Sequence, residues 1–261
     1  MRTLLVEGTI CLDDDCNITY KIADVKYEED EEGNFRYTFI PCYSVIELLS
    51  SDLFQGIPGL NLDLKKEKYI RENIVPVFIS ERSPSENRED LQELLTSCGM
   101  THLNRLEWLI KTNTQYFGDR LYVREKIDSN VVIETGSMFN LVERYDSLNK
   151  KILDIICIGN NISCSEIKIN DSNRLEYYKF LMPIYKKQYE AKVRTLLKSV
   201  RKAVENSSFK GRKKIELDKE FFIKVAEDYN KKIISLNEAL KKLNISKSTF
   251  FRRLKQCDSN K

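Results

Sequence analysis

Histidine, glycine and proline are all scarce in this 261-residue chain, which has one, nine and five of them. A single histidine, His102, and seven scattered cysteines without a C-x-x-C pair do not supply the clustered ligands of a zinc site. The sequence has no phosphate-binding glycine loop, and no apolar run approaches the roughly 20 residues that span a bilayer. We therefore expect no metal, no cofactor and no membrane partner, with the cysteines reduced.

Length and composition indicate a folded protein with more than one part. A hydrophobic fraction of 41% is ordinary for a globular chain, and 261 residues fit two domains or one domain with a small module. The N-terminus reaches Glu7 too early for a secretory signal, so we expect a cytoplasmic protein.

Charge is distributed unevenly along the chain. Residues 173–261 hold 24 basic and 10 acidic side chains, whereas residues 1–172 hold 19 basic and 30 acidic ones. A basic segment can neutralise phosphates and release their counterions, while an acidic one is repelled by the same polyanion. The sequence therefore predicts an acidic domain at 1–172 and a nucleic-acid-binding end, unless the basic segment is only a solvated surface.

The acidic domain reads as mixed α and β. Strands are predicted at 18–26 and 35–40, as a hairpin around an acidic turn, and at 74–79, 121–123 and 152–158. Helices are predicted at 44–49, from a cap at Ser83 through Leu91, Leu94, Leu95 and Cys98 to Gly99, and at 103–110 and 138–148.

A long basic helix is predicted in the connector, residues 173–209, where Pro183 starts or kinks it. Apolar side chains recur at intervals of three and four: Tyr185, Tyr189, Val193, Leu196, Leu197, Val200 and Val204. Such a stripe packs against its own domain or, alternatively, pairs two copies of the chain and leads onto DNA.

Three short helices are predicted in the last segment, residues 210–256. The first runs from 219 to 229 with Asp218 as its cap, and the second begins at Ser235, whose capping box is completed by Glu238. Asn244 stands at the sharp turn that follows, because asparagine tolerates the left-handed backbone conformation. Ile245 enters the core and Ser246 caps the third helix, in which Phe250 and Leu254 face inward.

The third helix has the features of a recognition helix, which contacts base edges through side chains near its N-terminus. At this point the segment resembles the C-terminal DNA-binding domain of serine recombinases, over about 50 residues. The matching stretches are Gly211-Arg212, residues 234–239 and residues 244–254; Asn244 and Phe251 replace the family's usual glycine and tyrosine. The resemblance implies a minor-groove arm and a base-reading helix. We expect DNA contacts from Gly211, Arg212, Lys213, Lys247, Ser248, Thr249, Arg252, Arg253 and Lys255.

The catalytic part of that family is not recognisable here. Its nucleophilic serine follows the first strand, whereas the first serine of this chain is Ser44. We interpret the DNA-binding end as joined to a different N-terminal domain. An inactive, diverged recombinase or another DNA-processing enzyme is the alternative, and no catalytic residue is assigned.

Three further groups of residues were weighed as sites. His102 and Arg105 have the H-x-x-R spacing of tyrosine recombinases, without a suitable tyrosine. Residues 13–15 are three aspartates that either bind a divalent cation or form a solvated turn. Glu81, Arg82 and Asp119 mark a site or have structural surface roles, and the structural interpretation is favoured for all three groups.

The sequence thus predicts an α+β domain, a long basic helix and a three-helix helix-turn-helix module. The function predicted is sequence-specific DNA binding by a transcriptional or mobile-element regulator of plasmid or phage type. Because one module has a small footprint, we expect a homodimer on paired half-sites of double-stranded DNA. The acidic domain is expected to sense a small molecule, bind a protein or drive oligomerisation.

Overall fold

The computed structural model describes residues 4–116, 118–205, 219–231 and 233–258, which form two compact units divided between Thr195 and Leu196. The first unit contains sheets and helices, and a long helix is followed by shorter C-terminal helices. The predicted mixture of an α+β domain, a long helix and C-terminal helices is confirmed. Among the described residues, no helix is both long enough and apolar enough to cross a membrane.

A five-stranded antiparallel sheet with the order β4-β3-β2-β1-β5 is the framework of the first unit. Its strands are β1 (Leu4–Asp13), β2 (Thr19–Glu29), β3 (Phe35–Pro41), β4 (Tyr69–Glu72) and β5 (Leu121–Glu125). β2 and β3 pair around the acidic turn, so the predicted hairpin is confirmed. β1 pairs with both β2 and β5 near the middle of the sheet and was not among the predicted strands.

Five short α-helices lie among the described residues of the first unit: α1 (Tyr43–Ile46), α2 (Val77–Ser80), α3 (Leu91–Ser97), α4 (Arg105–Thr112) and α5 (Leu148–Cys157). The predicted helices at 44–49 and 103–110 correspond to α1 and α4. α4 packs on β1 and β5, and α5 packs on β2. Gly8 favours the close approach of α4, because a Cβ there would lie 3.0 Å from the side chains of Ile110 and Val123 and from the carbonyl oxygen of Arg124.

A smaller sheet joins β6 (Val132–Glu134), β7 (Asn161–Ser163) and β8 (Lys168–Ile169). β6 and β7 are parallel, whereas β7 and β8 are antiparallel.

Two predictions around residue 80 are wrong. The strand predicted at 74–79 is a loop followed by α2, because Pro76 cannot donate to a sheet and instead precedes the first turn of a helix. The helix predicted from Ser83 begins only at Leu91, and the Ser83 hydroxyl accepts a hydrogen bond from Arg105 at 2.9 Å. Gly99 ends this segment with φ at 67°, as predicted.

Two predictions around residue 150 are also wrong. The strand predicted at 152–158 lies in helix α5, and the helix predicted at 138–148 consists of the 3-10 turns Met138–Leu141 and Tyr145–Ser147. All five residues from Ile152 to Cys157 other than Asp154 are buried. A helix enclosed on several sides gives no clear amphipathic period, so its β-branched residues resembled a strand.

The long helix α6 spans Arg174–Glu205, with Pro183 inside it rather than at its start. Its first half packs on the first unit: the Tyr185 hydroxyl donates to the carbonyl oxygen of Cys16 at 3.0 Å, and Asn17 donates to the Tyr189 hydroxyl at 2.9 Å. The predicted packing of the apolar stripe on its own domain is thus confirmed for this half of α6.

Candidate nucleic-acid interface

Three helices follow α6 among the described residues: α7 (Lys219–Asn230), α8 (Leu236–Leu243) and α9 (Lys247–Asp258). They enclose a small core of their own, formed by Phe222, Val225, Ala226, Ala239, Leu243, Ile245 and Phe250. The predicted helices are present at the predicted places. Asp218, the predicted cap of the first helix, lies outside the described residues.

α8 begins with the predicted capping box. The Ser235 hydroxyl accepts from the backbone N–H of Glu238 at 3.3 Å, and the Glu238 carboxylate accepts from the backbone N–H of Ser235 at 2.8 Å. This backbone hydrogen bond lowers the pKa of the Glu238 carboxyl, with help from the Ser235 hydroxyl and nearby lysines. The backbone N–H groups at the N-terminus of α8 are therefore hydrogen-bonded within the capping box, and the negative Glu238 carboxylate lies at the positive end of the helix dipole.

The chain turns sharply between α8 and α9 within residues 244–246. Asn244 adopts the left-handed conformation, with φ at 50° and ψ at 46°, as predicted. The backbone N–H groups of Asn244 and Ile245 donate to the carbonyl oxygens of Lys241 and Leu240, each at 3.3 Å. This pair of bonds closes the helix end, and Ile245 is then buried against the core.

Phe250 sets the orientation of α9. Its side chain is fully buried, with ring centroids 5.7 Å from Phe222 and 5.4 Å from Tyr229. At 3.6 residues per turn, positions two before and two after Phe250 lie about 160° around the helix from it. Ser248 and Arg252 occupy these positions, and both are exposed. They therefore share the face of α9 that points away from the core.

The remaining predicted contact residues divide into three groups. Lys247 is exposed beside Ser248, whereas Thr249 and Arg253 are half-buried. The side chain of Lys255 lies outside what the structure describes. So do the arm residues Gly211, Arg212 and Lys213.

Positive charge dominates the exposed surface of α8 and α9. The first turn of α9 holds no acidic residue, and Lys247 and Arg252 have no ion-pair partner within the described ranges. Lys241 and Lys242, in the last turn of α8, are also exposed. These two lysines were not among the predicted contacts, although their place at the end of a helix beside the turn was a usable signal. Unpaired cations of this kind attract phosphates.

Comparisons of the chain with known protein families, with characterised proteins and with solved structures gave no match.

The three aspartates at 13–15 are used within the β1–β2 turn. Asp13 accepts from the Thr19 hydroxyl at 2.7 Å, Asp14 accepts from the backbone N–H of Cys16 at 2.8 Å, and Asp15 pairs with Arg120 at 2.8 Å. Across the described parts of the chain, no group of three or more His, Cys, Asp or Glu side chains is arranged to hold a metal ion. These contacts favour the turn interpretation.

The structure does bring Arg82 and Asp119 together in an ion pair, with Glu81 3.8 Å from the same guanidinium. Arg82 is fully buried, donates to the carbonyl oxygen of Phe78 at 3.0 Å and stacks on the Phe78 ring. Its contacts tie α2 to the turn before β5, which is a structural role.

The side chains of the H-x-x-R pair likewise make hydrogen bonds within the first unit. Arg105 donates to Ser83, to the carbonyl oxygen of Pro84 and to Glu86, and Nδ1 of His102 lies 3.1 Å from the Thr101 hydroxyl.

Proposed function

We propose that this chain is a sequence-specific DNA-binding protein, a transcriptional or mobile-element regulator, in which α7, α8 and α9 act as a helix-turn-helix module. One observation carries the proposal: Ser248 and Arg252 lie side by side on the exposed face of α9, opposite its buried Phe250. A recognition helix needs this arrangement, because its core face holds it in place while the opposite face enters the major groove.

The chemistry of that face fits DNA. An arginine donates two parallel hydrogen bonds to O6 and N7 of guanine, and a serine hydroxyl contacts several bases. Lys241, Lys242 and Lys247 supply charge for the phosphates on either side. The resemblance to serine recombinase DNA-binding domains adds a minor-groove arm at Gly211 and Arg212.

The test is enrichment of duplexes by the full chain from a random-sequence pool, followed by affinity measurements on the enriched duplex. We expect Arg252→Ala to weaken specific binding by about 1–3 kcal/mol and to leave weak binding to unrelated duplexes nearly unchanged. Arg120→Ala is the matched control, because it removes an exposed arginine from the first unit. An equal loss on every duplex would show that Arg252 contacts phosphate rather than bases.

We also propose that two copies of the chain pair through the second half of α6. Four large apolar side chains are exposed there at intervals of one, three and four residues: Leu196 (64%), Leu197 (54%), Val200 (46%) and Val204 (57%). An apolar stripe of this size on a surface marks an interaction site. Lys198 and Lys202 lie on the opposite side of the helix and are exposed, so pairing of the stripes leaves the basic side free for phosphates.

Pairing through one helix gives a two-fold assembly, in which each copy presents its own α9 to one half-site. Sedimentation equilibrium of the full chain should then give twice the 30.6 kDa mass of one copy. We expect Leu196→Asp to give the single-copy mass, because it places a charge in the apolar contact. Phe180→Asp is the control, since Phe180 is 68% exposed but lies on another side of α6. A wild-type chain with the mass of one copy would refute the pairing.

A further inference from the structure

Three hydroxyl groups meet at the start of α9. The Ser246 hydroxyl oxygen lies 3.1 Å from that of Ser248 and 3.0 Å from that of Thr249. It also accepts the backbone N–H of Thr249 at 3.4 Å, as the cap of the helix. Ser248 is exposed and belongs to the proposed DNA-reading face, whereas Thr249 is half-buried.

The number of hydrogens and lone pairs restricts these bonds to two arrangements, in each of which all the hydroxyls donate in the same direction along the chain. A hydroxyl group has one hydrogen to donate and two lone pairs to accept with. One lone pair of Ser246 is occupied by the backbone N–H of Thr249. The other lone pair and the hydrogen must serve the two neighbouring hydroxyls, so Ser246 accepts from one of them and donates to the other. The hydrogens run from Thr249 through Ser246 to Ser248, or in reverse.

The two directions give Ser248 opposite roles toward a ligand. If Thr249 donates to Ser246 and Ser246 donates to Ser248, the Ser248 hydrogen is free to point outward as a donor. In the reverse direction that hydrogen is used internally, and Ser248 can only accept. The positive end of the α9 dipole favours an electron-rich acceptor at this place over an amino group. Phosphate oxygens, N7 and O6 of guanine and O4 of thymine are such acceptors.

We propose that Ser246 and Thr249 are positioning residues that hold the Ser248 hydroxyl as a hydrogen-bond donor toward an acceptor atom of DNA. This inference rests on the proposed function of α9. Thr249, which is half-buried, then acts on DNA affinity through Ser248. The hydrogen bonds in a chain of hydroxyls strengthen one another, because each donor polarises the next group.

The experiment is a double-mutant cycle in the full chain, measured on a duplex that the wild type has enriched from a random pool. Thr249→Val keeps the size and branching of the side chain but removes its hydroxyl. We expect it to weaken binding by about two- to twelvefold, the range of one net hydrogen bond. Thr249→Ser should restore wild-type affinity. In a Ser248→Ala background, Thr249→Val should cause no further loss, because the hydroxyl it orients is gone.

Folding is checked by hydrogen exchange of residues 219–258, which should be unchanged in Thr249→Val since the backbone N–H that Ser246 caps is retained. A loss of affinity that is equal with and without Ser248 would overturn the inference and leave DNA binding intact. Unchanged affinity in Thr249→Val would overturn it too. A wild-type chain that enriches no duplex would overturn the proposed function itself, and the inference with it.

Discussion

Arg174 offers the sharpest test of what holds the first unit together. Its side chain is 1% exposed at the start of α6, and its guanidinium donates to the carbonyl oxygens of Ile156, Asn160 and Gly159 at 2.7, 2.9 and 3.3 Å. The Ile156 carbonyl lies in the last turn of α5, and those of Gly159 and Asn160 follow directly after the helix. The Ile156 and Gly159 carbonyls also accept from the backbone N–H groups of Gly159 at 3.1 Å and Asn130 at 2.9 Å. The Arg174 cation, at the first residue of α6, therefore interacts favourably with the negative C-terminal end of α5.

The cost of removing this guanidinium follows from its bonds. It also donates to the side chains of Asn161 at 2.9 Å and Asp171 at 2.5 Å, but Asp171 is 59% exposed and regains water when released. Hydrogen bonds to a charged group contribute about 1.5–3 kcal/mol each, and three buried carbonyls lose theirs. The arginine's own desolvation, including an Nε without a partner among the described residues, offsets part of the sum. We expect Arg174→Met to destabilise the unit by about 3–5 kcal/mol.

Urea unfolding of the full chain measures this change selectively. The only tryptophan, Trp108, is buried in the first unit, so its fluorescence reports the unfolding of that unit alone. With a slope of about 2 kcal/mol per molar urea, the midpoint should fall by about 1.5–2.5 M. Arg194→Met is the matched control, because the Arg194 side chain is 75% exposed and pairs with Glu190 on the same helix. Its midpoint should move by less than about 0.25 M.

Arg174→Lys refines the test, since lysine keeps the charge but cannot reach five acceptors with one ammonium group. The urea midpoint of Arg174→Lys should lie between those of the wild type and Arg174→Met. Equal midpoints for Arg174→Met and Arg194→Met would refute the reasoning, because the buried network would then contribute no net stability.

Two further changes have expected outcomes. Phe250→Ala removes a fully buried ring at a cost of about 3–5 kcal/mol, comparable with the whole stability of a unit this small. Hydrogen-exchange protection of residues 219–258 and DNA binding should be lost while the Trp108 transition stays in place; retained protection would contradict the predicted core. Hydrogen bonds from the Ser137 hydroxyl and the Met138 backbone lower the pKa of Glu166 from 4.5 to about 2, so its stabilisation is full above about pH 4.5 and lost as the pH falls toward 2. Glu166→Gln should lower the urea midpoint at pH 7, and the midpoints of variant and wild type should converge near pH 2. A difference in midpoint that stays constant with pH would show that the ionised Glu166 carboxylate is not the origin of this stability.

Local chemistry explains which elements were predictable. The Ser235 and Glu238 pair, the left-handed Asn244 and the buried Ile245 depend on neighbours within five residues, so their roles were visible in the sequence. Gly99 stops a helix for the same reason. The exposure of Ser248 and Arg252 also followed from spacing, because the position of Phe250 on a regular helix determines which side chains lie opposite.

Long-range contacts explain what was missed. β1 was overlooked because its middle is buried on both faces between β2 and β5, so its sequence does not alternate. α5 was predicted as a strand because its isoleucines are buried on several sides. The sequence that begins at Ser83 is typical of a helix cap, but the Ser83 hydroxyl instead accepts a hydrogen bond from Arg105, 22 residues later. In each case a partner distant in the sequence outweighed local preference.

The sequence by itself determined the separation of acidic and basic halves, the hairpin, the long helix and the three C-terminal helices, since charge, periodicity and caps act over a few residues. Only the tertiary structure decided which apolar residues of α6 find partners. Tyr185 and Tyr189 reach the β1–β2 turn, while Leu196, Leu197, Val200 and Val204 continue the same pattern and are exposed. Periodicity states that a helix face is apolar, but burial depends on where the rest of the chain lies, and that information is held in contacts between distant segments.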